Sequence, residues 1–195
     1  MKNCMGKMQK KPANTKLYFI GIIPPKDSYD GACDLKHYFK ECYNSKASLN
    51  SPPHITLHMP FQWKEEKENE LIEKLETFSA NIKNFNLQLS NFGSFPPRVI
   101  FIHVVPNEEL SDLHKSLYRF AKRELNLFNA NYKDLPFHPH ITLAFRDLKK
   151  PMFVKAWEEF QTKEFKYQFN VDHFALLKHD GKTWEVYKEF LFAKA

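Results

Sequence analysis

The string Pro-His-Ile-Thr-Leu stands twice in this chain, at Pro53–Leu57 and again at Pro139–Leu143. An identical pentapeptide rarely recurs by chance in 195 residues, and the same order of elements can be read around each copy. Lys16–Ile23 is an apolar, β-prone run closed by Pro24 and Pro25. From Asp27 to Tyr43 the spacing changes: Ala32, Leu35, Phe39 and Cys42 recur at three- and four-residue steps, which marks one helix face. The first copy opens a strand over His54–Met59. Leu71, Ile72, Leu75 and Phe78 stripe a second helix over Glu65–Ile82, and Phe85–Phe92 returns to a strand pattern.

After Pro96 and Pro97 the order starts again. Arg98–Val105 reads as a strand, and Asn107 is an N-cap with Glu108 and Glu109 in the first turn. Leu110, Leu113, Leu117, Phe120 and Leu125 stripe the helix that follows, and the second copy opens a strand over His140–Phe145. Met152–Phe160 is a shorter helix. Phe165–Lys178 and Thr183–Phe192 are strands joined at Asp180-Gly181, a strong hairpin signal.

Two passages of β-α-β-α-β, each with the string in its middle strand, predict an α+β fold built as a bilobal, pseudo-two-fold duplication. A repeat of 86 residues, from His54 to His140, is too long for a solenoid. With no Gly/Ser linker between the halves, residues 16–195 are expected to form one domain, with lobes of about 16–95 and 96–195. Residues 1–15, with Lys2, Lys7, Lys10 and Lys11, read as a flexible basic tail.

The repeated residues are chemically useful. Histidine exchanges a proton near neutrality, and threonine supplies a hydroxyl donor. On a strand, side chains two apart share a face, so His54 lies beside Thr56 and His140 beside Thr142. If the lobes face each other, the two pairs converge on a cleft that suits a small anion. One histidine would take a proton while the other gives one, and the hydroxyls would hold oxygens on phosphorus.

The same alternation places His58 and His138 at the cleft rim. Four histidines could instead hold a metal, but paired threonines and the lack of nearby carboxylates fit an anion better, so no metal or other cofactor is expected. Arg146, with Arg98, Lys149 and Lys150, could add positive charge, and Phe61, Tyr132 and Phe145 could stack on a base.

A net charge of +6 and a pI near 9.1 favour an anionic partner such as RNA or a nucleotide. Five glycines argue against a Gly-rich phosphate loop. Cys4, Cys33 and Cys42 have no metal-ligand spacing and leave one thiol over, which suits a reducing cytoplasm. The N-terminal lysines precede no apolar stretch and no run is long enough to span a bilayer. A cytoplasmic monomer without membrane contact is expected.

The paired His-Ile-Thr units at 54–56 and 140–142 resemble the motifs of the two-histidine (2H) phosphoesterase superfamily. Within it the chain is similar to the 2'-5' RNA ligase-like proteins, which include RNA 2',3'-cyclic phosphodiesterases. The resemblance covers about Lys16 to Phe192. It implies two antiparallel sheets around a central cleft with helices outside, and metal-free catalysis. His54 and His140 would be the acid and base, and Thr56 and Thr142 the phosphate-holding hydroxyls. The substrates would be cyclic phosphates of RNA or nucleotides, with 2'-5' joining as the reverse reaction. The first motif continues Leu57-His58-Met59-Pro60, where relatives often carry Arg or Lys followed by Phe; the second continues Leu143-Ala144-Phe145-Arg146. Two alternatives remain: hydrolysis of another small phosphodiester, such as a 2'-5' oligonucleotide, or an RNA-binding module without turnover.

Overall fold

Alternation sets the sheet. In β1 (Thr15–Ile22), Tyr18, Ile20 and Ile22 are buried in the main core, whereas Leu17, Phe19 and Gly21 point to the other face. The same rule buries Ile100, Ile102 and Val104 of β4 (Val99–Val104), and Ile141 and Leu143 of β5 (His140–Ala144). A computed structural model describes residues 14–127 and 136–193. Most of the basic tail, with Cys4, and the candidate stacking residue Tyr132 lie outside the described residues.

The remaining strands are β2 (Ile55–Lys64), β3 (Phe85–Phe95), β6 (Lys166–Val171), β7 (His173–His179) and β8 (Trp184–Leu191). The helices are α1 (Lys26–Tyr43), α2 (Glu68–Ser79), α3 (Glu108–Glu124) and α4 (Lys150–Phe160), with short 3-10 turns at Ala47–Asn50 and Glu65–Lys67. Asn107 caps α3 as expected, its Oδ1 accepting from the Leu110 amide at 2.7 Å. α1 packs against β5 and α3 against β2, so each helix lies under the motif strand of the opposite half of the chain.

The fold is α+β. Among the described residues the strands form one curled antiparallel sheet in the order β6-β3-β4-β5-β2-β1-β7-β8. The two expected sheets are therefore two halves of a single one, meeting where Ile55 of β2 pairs with Ile141 of β5.

The strands are also shared differently from a division near residue 95. Pro96-Pro97 makes a hairpin turn, so β3 pairs with β4 and lies in the second motif's half of the sheet. The run expected as one strand over Phe165–Lys178 breaks at Asp172. β6 pairs with β3, whereas β7 pairs with β1 in the first motif's half. Local pattern marks a strand but not its distant partner, and that partner decides the half to which it belongs.

The buried stripe of α1 is Ala32, Lys36, Phe39 and Tyr43, with Leu35 half-buried and Cys42 exposed. A lysine thus occupies a core position. Among the described residues, no helix is long and apolar enough to cross a membrane.

Candidate active site

β2 and β5 bring the two motifs side by side. Ile55 and Ile141 pair with each other and are fully buried, so alternation turns His54, Thr56, His140 and Thr142 to the opposite face of the sheet. All four are half-buried. The residues singled out by the repeated string therefore flank a single bridge between strands.

Each histidine is held in the same way. Nδ1 of His54 lies 2.7 Å from the carbonyl oxygen of Pro52, and Nδ1 of His140 lies 2.7 Å from that of His138. A carbonyl oxygen only accepts, so each Nδ1 carries a proton and donates it. Each neutral ring then keeps the lone pair of Nε2 for proton exchange.

A phenylalanine backs each imidazole. The ring centroid of Phe19 is 4.6 Å from that of His54, and the centroid of Phe101 is 4.8 Å from that of His140. Two glycines make this close packing possible. A Cβ at Gly21 would stand 2.9 Å from the Ile55 carbonyl oxygen and 3.6 Å from the His54 Cβ, and one at Gly93 would overlap the Phe101 ring.

More rings stand on both sides, and Phe95 itself lies 5.4 Å from His140. Phe19 meets Trp184 at 4.8 Å and Trp184 meets His179 at 4.9 Å. Across the site, Phe101 meets Phe95 at 4.6 Å and Phe95 meets His138 at 5.0 Å. Phe95 is exposed and Trp184 half-buried, so each side ends in an accessible aromatic ledge. Sequence reasoning passed over these rings. Their signal was the alternation itself, which puts Phe19 and Phe101 opposite the core residues of β1 and β4.

His58 and Phe61 fall elsewhere. Ile20 pairs with His58 but Gly21 with Thr56, so Leu57 is the extra residue of a β-bulge. The bulge turns His58 away from the motif face and into the core. There it is 4% exposed, with Nδ1 2.8 Å from the Met59 carbonyl oxygen. Phe61 is buried as well, packed on Tyr18 and edge-on to His58 at 5.4 Å. His58 is therefore not a rim residue, and Phe61 is not open to stack on a base.

His138 is exposed beside His140, its centroid 6.1 Å away. Arg146 is exposed just past β5, its guanidinium 4.9 Å above the Phe145 ring. Arg98, Lys149 and Lys150 are exposed in the β3–β4 turn and at the start of α4. Among the described residues, no three His, Cys, Asp or Glu side chains are grouped as a metal-ligand set.

Burial dominates the electrostatics. It pushes the His54 pKa down to about 4; the Pro52 carbonyl pulls it back up, while the Lys36 ammonium and His140 push it down further. His140 is lowered too, by burial first and by His138, against the upward pull of its own carbonyl partner. Both imidazoles are accordingly neutral in the free protein at pH 7. A bound anion between them would favour the protonated form of either.

The family model described as "2'-5' RNA ligase superfamily" matches residues 30–183. The chain belongs to this superfamily. A protein of Oceanobacillus iheyensis named "Putative phosphoesterase OB1230" is 32% identical over 91% of this chain and 98% of its own length. "Putative phosphoesterase GK0864" of Geobacillus kaustophilus is 31% identical over 89% and 95%. The crystal structure of E. coli LigT complexed with 3'-AMP has the same fold, with a TM-score of 0.68, 21% identity, and coverage of 93% of this chain and 100% of LigT. As a 2'-5' RNA ligase superfamily member, the chain sits among the two-histidine phosphoesterases.

Buried histidines make this superfamily member sensitive to acid. His54, His58, His103, His114 and His140 are all lowered, each chiefly by burial. Below the unfolded value of about 6.5 the unfolded chain takes up protons that the folded one refuses. Stability is therefore complete above that pH and declines as pH falls toward the folded values. Thermal melts should show Tm falling between about pH 6.5 and 5, before most carboxylates titrate. A Tm that stays level across that window would contradict the burial argument.

Proposed function

We propose that the chain is a metal-independent phosphodiesterase that opens the 2',3'-cyclic phosphate of an RNA end or nucleotide. The observation that carries this reading is the pair of histidines anchored at Nδ1, each with Nε2 free and a threonine hydroxyl on the same face. One Nε2 takes a proton from water as its oxygen attacks phosphorus. The other, protonated, gives its proton to the ribose oxygen that leaves, so one P–O bond forms as another breaks. Thr56 and Thr142 donate to the non-bridging oxygens, where charge builds. With a ribose hydroxyl in place of water, the same forward steps join two strands: the hydroxyl loses its proton as it attacks phosphorus, and the ribose oxygen that leaves gains one.

The charge balance adds support. Both histidines are neutral in the free protein, and an anionic phosphodiester favours the protonation that one of them needs. The aromatic ledges suit nucleobases, since stacking a base on an aromatic side chain contributes about 1–3 kcal/mol. Nucleotide binding is on record for the fold, in the 3'-AMP complex of LigT. Ledges on both sides also favour a second reading, in which the phosphodiester has a nucleoside on each side, as in a 2'-5' oligonucleotide.

The test is a screen of 2',3'-cyclic nucleotides, cyclic-phosphate-ended RNA and 2'-5' oligomers, each in excess EDTA. Turnover of a cyclic phosphate, undiminished by the chelator, is the expected result. Preference for the 2'-5' oligomer would select the second reading. Activity lost in EDTA and restored by zinc or manganese would replace the metal-free scheme with a metal-assisted one.

A further inference from the structure

The segment that delivers His54 runs from the end of α1 to the start of β2, and two oppositely charged side chains hold it from different elements. Asp147 stands just past β5, where Arg146 adopts a left-handed backbone (φ 53°) and the Asp147 amide donates to the Phe145 carbonyl oxygen at 2.6 Å. That turn directs the carboxylate onto the segment. Its Oδ2 accepts from the amides of Lys46 and Ala47 at 2.8 and 2.9 Å, and its Oδ1 accepts from the Ser45 hydroxyl at 2.8 Å. Ser45 is fully buried.

The second hold comes from α1. Lys36 is 2% exposed, and its Nζ donates to the carbonyl oxygens of Ser48 at 3.0 Å and Ser51 at 2.9 Å. No carboxylate pairs with it among the described residues. A buried ammonium with only carbonyl partners is costly to keep. It persists at the point where it ties down the residues just before Pro52, whose carbonyl oxygen receives Nδ1 of His54.

We propose that Lys36 and Asp147 are positioning residues that together clamp the segment carrying Pro52 and thereby set the orientation and tautomer of His54. The role of His54 in turnover rests on the function proposed above; the clamp itself does not. Asp147 pins the start of the segment through amides and Lys36 pins its end through carbonyls, so neither replaces the other. Because Asp147 follows the second motif, it also ties the two motif strands together at a point away from the Ile55–Ile141 pair.

Charge gives Lys36 a second effect. The titratable groups that act on it and on His54 are Cys33 on α1, and His140 on β5. Burial lowers the Lys36 ammonium to about 8, with Cys33 opposing, so Lys36 is a cation at neutral pH. A nearby cation disfavours a second one, which adds to the larger effect of burial on His54.

The test compares Lys36→Met, which keeps length but removes charge and donors, with Asp147→Asn, which keeps shape, and Asp147→Ala. Imidazole NMR of the full chain reads the His54 tautomer and pKa without requiring any substrate. Lys36→Met should raise the His54 pKa and lower the population protonated at Nδ1. Asp147→Ala should loosen the tautomer with little effect on the pKa, and Asp147→Asn should do so less. Where the parent turns over a cyclic phosphate, each clamp loss should lower kcat about 10- to 100-fold with a smaller change in KM, the range expected for a misplaced catalytic group. Because both act on one segment, the double variant should fall less than the product of the two single losses. Wild-type tautomer and pKa in folded Lys36→Met and Asp147→Ala would overturn the clamp. An inactive parent whose variants still show the NMR shifts would instead overturn the proposed function and leave the clamp standing.

Discussion

His54→Ala and His140→Ala are each expected to lower turnover of a 2',3'-cyclic phosphate by two orders of magnitude or more. A positioned general acid or base contributes about 10²–10⁴-fold, and in the proposed scheme the two imidazoles share the proton transfers between them. Each Nδ1 is committed to a backbone carbonyl, so no rotation of the remaining ring can supply the lost function. The pH–rate profile should also simplify, since removing either group deletes one limb of a bell. Both variants should fold, because the histidines lie on the half-buried face while Ile55 and Ile141 fill the core behind them. Circular dichroism and steady-state rates on the same samples check both statements. A folded variant at either position with near-normal turnover would remove the paired-histidine mechanism.

Replacing the threonines should be milder and of a different kind. Thr56→Val and Thr142→Val keep the branched shape suited to a strand and remove a hydroxyl donor. A neutral donor facing a charged oxygen is worth about 1.5–3 kcal/mol, or roughly one to two decades if the bond strengthens in the transition state. The expected result is a loss of that size in kcat/KM, with the bell-shaped pH profile retained because both histidines remain. The double valine variant should also bind inorganic phosphate more weakly, which calorimetry can measure without turnover. Parent-like rates in both single variants would mean that the two motifs do not share one phosphate.

How far the fold was legible depended on the range of the interactions. The faces of α3 and the motif strands, the Asn107 cap and the Asp180-Gly181 hairpin are local, and each is found where its own residues put it. His58 is a counter-example. Strict alternation would leave it beside Thr56, but the extra residue at Leu57 arises from pairing with Ile20 and Gly21, more than thirty positions earlier. The partners of β3, β6 and β7 were likewise hidden, because β-prone character says nothing about which edge a strand will find.

At the candidate site, the repeated string pointed to four residues that the structure gathers on one face. The rings behind them needed only the same alternation applied to β1 and β4. Lys36 had left a trace, a lysine at i+4 from Ala32 and i−3 from Phe39 in an otherwise apolar stripe. Asp147 left none, since its partners are two backbone amides and a serine hydroxyl in a segment about a hundred residues away.

The bridge between Ile55 and Ile141 also places the chemistry at a fulcrum. The two halves of the sheet meet there, and at Asp172 the chain itself passes from β6 in one half to β7 in the other. Displacement about a pivot grows with distance from it. If the halves rock, the edge strands β6 and β8 travel farthest, whereas the residues beside Ile55 and Ile141 barely separate. The reach of one imidazole toward the other would thus stay nearly constant through such a motion. That constancy would follow from where one pair of isoleucines lies.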